Sequence, residues 1–183
     1  MLSEFDQATA LDKKTPAGMD QEPAAADTVR EVAAEVLETM FFTEAELAIC
    51  EHTWLVPNLS GYGARCACIR FEGSHRGGSH RGEMLLGVSG EAADPIAASF
   101  LGLELPELTD ARRGEVIQEL TNILCGAMLS RLWPESKLAL GSPQLTAWQE
   151  WPAGGALHRC FMIPEGLLAI SIRLLAAPKP AVT

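Results

Sequence analysis

A carboxylate and an amide stand three residues apart at Glu119 and Asn122, in a segment whose apolar spacing predicts a long helix. At that spacing the two side chains project side by side, so one can pair with a cation while the other donates and accepts hydrogen bonds. Relative to Ala, Asn122 and Gly126 cost about 0.7 and 1 kcal/mol of helix propensity, which breaks the usual design of an exposed helix face. Functional residues tend to occur at such breaks, but the spacing alone favours the structural alternative of a solvated carboxylate beside two tolerated residues.

Two other groups of residues raise the question of a metal site or an anion site. Cys66 and Cys68 point to one face of a predicted strand, and His75 and His80 lie in a glycine-rich segment. The fixed spacings of zinc sites are absent, so the cysteines are predicted to be core residues and no metal site is expected on this chain. The tandem repeat Gly73-Ser-His-Arg-Gly77 and Gly78-Ser-His-Arg-Gly82 follows no phosphate-binding spacing. It is interpreted as a lengthened, dispensable hairpin tip.

The elements that position these residues follow from hydrophobic periodicity and capping signals. Helices are expected from an N-cap at Asp27, from Asp94-Pro95 to about Leu101, and from Thr109 or Asp110 to Leu132, before Trp133-Pro134. Strands are expected at Thr53 to Val56, Ala64 to Phe71, Glu83 to Val88, Leu138 to Trp148, Leu157 to Ile163 and Leu168 to Leu174. A helix-plus-three-strands unit thus occurs twice as a pseudo-repeat, which indicates an α+β fold with helices packed on one face of an antiparallel sheet.

The long helix is predicted to have one apolar and one polar face. The apolar stripe consists of Val116, Ile117, Leu120, Ile123, Leu124, Ala127 and Met128. The opposite face consists of Glu115, Gln118, Glu119, Asn122, Cys125 and Gly126. The candidate site residues are therefore expected to face solvent while the helix packs on the sheet.

Composition limits the classes of function. The chain has 183 residues, 48% hydrophobic and 21% charged, which is enough for one globular domain with its own core. Its net charge of −10 argues against binding to nucleic acid, which requires a basic surface. The longest late apolar run, Leu167 to Ala177, is too short to span a membrane and is interrupted by Arg173.

Domain boundaries and location are predicted from the ends of the chain and the cysteines. Residues 1–26 are expected to form a disordered acidic leader, 27–177 the folded domain, and 178–183 a C-terminal tail. The N-terminal residues lack the basic and apolar regions of a secretory signal. Five cysteines without a CxxC pair favour reduced thiols over a disulfide framework, so a cytoplasmic protein is expected.

The segment Glu119-Leu-Thr-Asn122-Ile-Leu-Cys-Gly126 resembles the E-x-x-N-x-x-x-G signature of the CheC/CheX/FliY chemotaxis phosphatases. Residues 92–102, which include Leu101-Gly102, and residues 36–42 in the first helix also look like the CheX branch. The resemblance covers about residues 27–176 and implies a CheC-like fold. The first helix has no asparagine in a second E-x-x-N motif, so one site is expected, as in CheX.

The resemblance implies a hydrolase of two-component signalling that removes the aspartyl phosphate of a CheY-like response regulator. Asn122 would hold the attacking water in line with phosphorus, and Glu119 would pair with the partner's active-site lysine. Glu115, Gln118 and Gly126 would contact the partner, and Mg²⁺ would belong to the partner's acidic pocket. A homodimer is expected because relatives pair through their sheets. The alternative is a non-catalytic receiver-binding module of the same fold, similar to the flagellar-switch branch.

Overall fold

The computed structural model describes residues 22–41, 43–48, 59, 61, 63–75, 78–147 and 157–175. Three α-helices are present in that part of the chain: α1 (Glu22–Phe41), α2 (Gly90–Leu101) and α3 (Asp110–Leu132), with a 3₁₀ turn at Leu105–Glu107. Its strands are β1 (Glu46–Ala48), β2 (Arg65–His75), β3 (Gly78–Val88), β4 (Lys137–Leu140), β5 (Gln144–Thr146), β6 (Leu157–Ile163) and β7 (Gly166–Leu175). The α+β class predicted from the sequence is confirmed.

All seven strands form one antiparallel sheet. The order is β1-β6-β7-β3-β2, and both β4 and β5 pair with the far side of β2. The β4 strand pairs with residues 71–74 and β5 with residues 66–68, so the two short strands share one edge of the sheet. Residues 141–143 between them carry no strand, and the single strand predicted at 138–148 is therefore two strands.

The helices pack on one face of this sheet, and the strands bury side chains on both faces. Leu168 and Ile170 of β7 join the core beneath the helices, while Leu167 and Ala169 join a second apolar cluster on the other face. A strand buried on both faces needs a continuous apolar run, which is the pattern read from Leu167 onward.

Two helix starts differ from the prediction. The α1 helix begins at Glu22, before the N-cap predicted at Asp27, so residues 22–26 of the expected leader are helical. The α2 helix begins at Gly90 after Ser89, and Pro95 lies inside it, so the predicted start at Asp94-Pro95 is wrong. Ser89 is held by β7, since its N–H donates to the Leu167 carbonyl (2.9 Å) and its Oγ accepts from the Leu167 N–H (3.0 Å). That long-range pair fixes the start of α2.

The predicted ends of α3, β6 and β7 agree with the structure to within two residues, whereas β2 and β3 extend further into the tandem repeat. The α3 helix spans Asp110–Leu132 as predicted, and the Thr109 side chain caps it by accepting from the Arg112 N–H at 3.3 Å. The strands β6 and β7 also match their predicted segments. The strand predicted at residues 53–56, the tail at 178–183 and the leader before residue 22 lie outside the described residues. The short strand β1 was not predicted.

The tandem repeat is part of the sheet and not merely a hairpin tip. The β2 and β3 strands pair through Gly73↔His80, Ser74↔Ser79 and His75↔Gly78. Gly73 also pairs with β4, and Gly82 also pairs with β7. Only residues 76 and 77 lie between the two strands, so the interpretation of the whole repeat as a hairpin tip is corrected: most of it extends β2 and β3.

The cysteines are in two chemical states. Cys66, Cys68 and Cys125 are free thiols, whereas Cys160 is disulfide-bonded, so the expectation of fully reduced thiols is wrong for Cys160.

Within the described part of the chain, no helix has the length and apolar character needed to cross a membrane.

Candidate functional site

The site helix α3 is fixed to its neighbours at both ends. Near its start, the Arg113 guanidinium pairs with the Asp94 carboxylate of α2 through two contacts of 2.5 and 3.2 Å, and Asp110 pairs with Arg65 of β2. Near its end, Arg131 pairs with Glu35 of α1. Ion pairs this exposed contribute little free energy, about 0 to 1 kcal/mol each, but they restrict how the helix can turn on the sheet.

Burial supplies most of the energy that holds α3 in place. Val116, Ile117, Leu120, Leu124 and Met128 of the predicted apolar stripe are buried, and each contributes about 1.5 to 3 kcal/mol. Ile123 and Ala127 of that stripe are only partly buried. The apolar side therefore fixes the orientation of the helix, and with it the direction in which the polar face points.

The predicted polar face is accessible. Glu115 and Glu119 are exposed, and Gln118, Asn122 and Gly126 are partly exposed. The spacing of Glu119 and Asn122 places both side chains on the same side of α3. We call the residues Glu115, Glu119, Asn122 and Gly126 the polar stripe. A partner that approaches this stripe meets two carboxylates and one amide before it reaches the core.

Cys125 does not belong to the polar stripe. It is only 1% exposed, so its predicted place on the polar face is wrong. Burial, with a smaller contribution from the nearby Cys68 thiol, raises the pKa of Cys125 to about 12. Small residues at Gly114, Thr121 and Cys125 allow α3 to lie close to the sheet on this side, which is why the thiol is covered. Its burial and raised pKa make it a poor nucleophile near neutral pH.

The segment from β4 to β5 runs beside the polar stripe. The Gln118 Nε2 donates a 2.8 Å hydrogen bond to the Pro143 carbonyl, so one hydrogen of this predicted partner-binding amide is used within the chain. A Cβ built on Gly126 would lie 3.6 Å from the Leu140 Cδ1, and one built on Gly114 would lie 2.8 Å from the Leu145 Cδ1. Neither leucine was singled out from the sequence, because only the sheet topology brings it to α3.

The predicted core role of the other cysteines agrees with their positions. Cys66 is buried and Cys68 partly buried on the sheet face away from the helices. Burial, followed by the neighbouring Cys68, raises the pKa of the Cys66 thiol to about 12. Among the described residues, no three His, Cys, Asp or Glu side chains come together in a way that could hold a metal ion.

Three helices on one face of an antiparallel sheet, with a carboxylate and an amide one turn apart on the longest helix, are the arrangement that the resemblance to the CheC-like fold predicted. Residues 65–153 match the family model described as chemotaxis phosphatase CheX. No curated protein matches the sequence.

Solved structures of CheX proteins share the fold. The chemotaxis protein CheX from Vibrio vulnificus is 18% identical over 82% of this chain and 96% of its own, with a TM-score of 0.62. CheX from Desulfovibrio desulfuricans is 14% identical over 83% and 99%, with a TM-score of 0.60. A chain of the CheX-CheY-BeF₃-Mg²⁺ complex from Borrelia burgdorferi is 16% identical over 82% and 97%, also with a TM-score of 0.60. The fold is CheX-like, and the resemblance read from the sequence is confirmed.

Proposed function

We propose that this protein is a phosphatase that hydrolyses the aspartyl phosphate of a CheY-like response regulator. The observation that carries the proposal is the polar stripe, in which Glu119 is exposed and Asn122 remains partly exposed on a helix whose other side is buried. A similar fold occurs in a complex that contains CheX and CheY. The receiver domain would dock on the polar stripe with its phosphorylated aspartate facing Asn122.

Asn122 would act by positioning a water molecule. Its amide oxygen accepts a hydrogen bond from the water while its amide nitrogen can donate one to a phosphoryl oxygen. Phosphoryl transfer depends mainly on alignment and charge neutralisation, so an amide suffices without a general base. Glu119 would pair with a lysine of the receiver and fix the direction of approach. Mg²⁺, held by the receiver's own acidic pocket, would neutralise phosphoryl charge, and the reaction would take place in the cytoplasm.

The test compares Asn122→Ala with the parent on receiver domains that have been phosphorylated with acetyl phosphate. The expected result is a decrease in phosphate-release rate on the order of a hundredfold, the effect of poor alignment at a reacting group. The melting temperature is expected to hold or rise, because Ala has a higher helix propensity than Asn by roughly 0.7 kcal/mol. Thr39→Ala, a comparable truncation at an exposed position of α1, is the matched control and should leave the rate unchanged.

Two outcomes would contradict the proposal. If Asn122→Ala released phosphate as fast as the parent, the amide would have no part in the chemistry. If the parent bound phosphorylated receivers one to one without accelerating phosphate loss, the chain would be the non-catalytic, flagellar-switch-like binding module instead. Measurements at catalytic and at stoichiometric ratios of protein to receiver separate these results.

A further inference from the structure

Two large apolar side chains border the polar stripe. Leu140 of β4 is 38% exposed and Leu145 of β5 is 50% exposed. We call them the leucine flank. Both strands pair with β2 on one side, and in the described part of the chain no strand pairs with their other side. The flank therefore forms an apolar border at the sheet edge nearest the polar stripe.

The leucine flank is held against α3 by specific interactions. Leu145 packs over Gly114 and Leu140 lies beside Gly126, where a glycine leaves room for each side chain. Between them, Gln118 donates to the Pro143 carbonyl at 2.8 Å, and the Gly141 N–H donates to the Arg70 carbonyl of β2, also at 2.8 Å. The segment is thus attached to both the helix and the sheet, and its leucines are presented in a fixed position.

The flank and the polar stripe share the same stretch of helix. Gly114 and Gly126 are twelve residues apart, which corresponds to about 18 Å along α3. Glu119 and Asn122 lie between those two points. A folded domain that contacts Asn122 must also contact residues on both sides of it, because protein interfaces occupy about 800 Å² on each partner. Interfaces of this kind combine apolar anchors with surrounding charged groups.

We infer that the leucine flank is the apolar part of the docking surface for the phosphorylated receiver domain. The inference rests on the proposed function, since the occupant is the same partner whose phosphoaspartate meets Asn122. The two carboxylates of the polar stripe complement a partner that carries a lysine and a bound cation, while the flank supplies affinity that does not depend on charge. Gln118 is a positioning residue that fixes the segment beside the helix.

The experiment measures kcat and KM for phosphate release from receivers phosphorylated with acetyl phosphate. Leu145→Ser and Leu140→Ser are each expected to raise KM about fivefold or more with little change in kcat. The reason is that less apolar area is buried on docking, which weakens binding of the ground state and of the transition state equally. The matched control is Leu105→Ser in the 3₁₀ turn, outside the leucine flank and the β1 edge, where the leucine is 52% exposed. Its KM should equal that of the parent.

Two further measurements keep the result interpretable. The salt dependence of KM should be unchanged by the flank variants, since they remove no charge. Melting temperatures identify a variant that no longer folds, and Leu140→Ser serves if Leu145→Ser is unstable. KM values for both flank variants equal to that of Leu105→Ser would overturn this inference and leave the proposed function intact. A parent protein that accelerates phosphate loss from no receiver would overturn both.

Discussion

Asn122 is hard to explain as a residue chosen for helix formation alone. It lies in the middle of a helix whose ends are well defined, at a position that is neither buried in the core nor freely exposed. Its free-energy cost relative to Ala is about 0.7 kcal/mol, and the cost of glycine at position 126 is about 1 kcal/mol. Among the described residues, none forms a hydrogen bond with the Asn122 side chain that would offset this loss of helix propensity. The amide is therefore available to a partner.

Glu119 is expected to act through its charge. Replacing it with Gln keeps the size of the side chain and one accepting oxygen but removes the charge that the proposed ion pair with the receiver's lysine requires. Glu119→Gln should weaken binding to the phosphorylated receiver and reduce the dependence of binding on ionic strength. The measurement is a binding titration at several salt concentrations.

The control for this prediction is Glu38→Gln, an exposed glutamate of α1 outside the polar stripe. Its affinity and salt slope should match those of the parent. If Glu119→Gln behaved in the same way as the control, Glu119 would not be the docking carboxylate.

At the scale of secondary-structure elements, prediction succeeded where the signals are local. The Thr109 cap and the Trp133-Pro134 stop lie in the sequence at the ends of α3, and the E-x-x-N motif lies within that helix. The start of α2 could not be predicted because its cap residue, Ser89, is fixed by hydrogen bonds to β7. The leucine flank could not be predicted from the sequence either, because its position depends on which strand lies at the sheet edge beside α3.

The hairpin formed by β2 and β3 yields a prediction about packing. A Cβ on Gly82 would overlap the Phe71 ring and lie 2.7 Å from the Arg173 carbonyl oxygen, so a side chain there requires the ring and the strand to move. Gly82→Ala should destabilise the protein by about 1 to 3 kcal/mol, the usual cost of overpacking. Chemical denaturation measures this change.

The matched control is Ser79→Ala, an exposed position in the same strand. It is expected to alter the free energy of unfolding by less than about 0.5 kcal/mol. Equal stability of the two variants would show that the ring can move aside at no cost and would contradict the close packing of Phe71 on Gly82.

For the whole molecule, charge and sheet edges decide how partners can approach. A net charge of −10 repels phosphate groups at long range, so recognition of a phosphorylated partner must come from specific contacts. The described sheet has two edges, one at β1 and one shared by β4 and β5. The second edge carries the proposed docking surface, which leaves β1 for contact with another copy of the chain.

We expect a homodimer that pairs through the β1 edge, where an edge strand with an exposed leucine favours association. Light scattering after size exclusion should give about twice the chain mass of 19.6 kDa. Leu47→Lys should shift the protein toward the monomer, because a charge on an edge strand opposes pairing. Glu44→Lys, an exposed charge change just before β1, is the control. A parent that is monomeric at tens of micromolar would contradict the expected dimer.

The pairing of the tandem repeat bears on how the gene can change. Each five-residue copy contains the Gly-Ser pair found in β2 and the Arg-Gly pair that lies opposite Glu72 and Phe71 in β3. If replication slippage removed residues 78–82, Gly77 would take the place of Gly82 opposite Phe71, and Arg76 would take the place of Arg81, which pairs with Glu72 at 3.3 Å. If slippage added a copy, the extra residues would enter at the turn, where insertions are best tolerated. Copy number can therefore change while Phe71 keeps a glycine and Glu72 keeps an arginine opposite it.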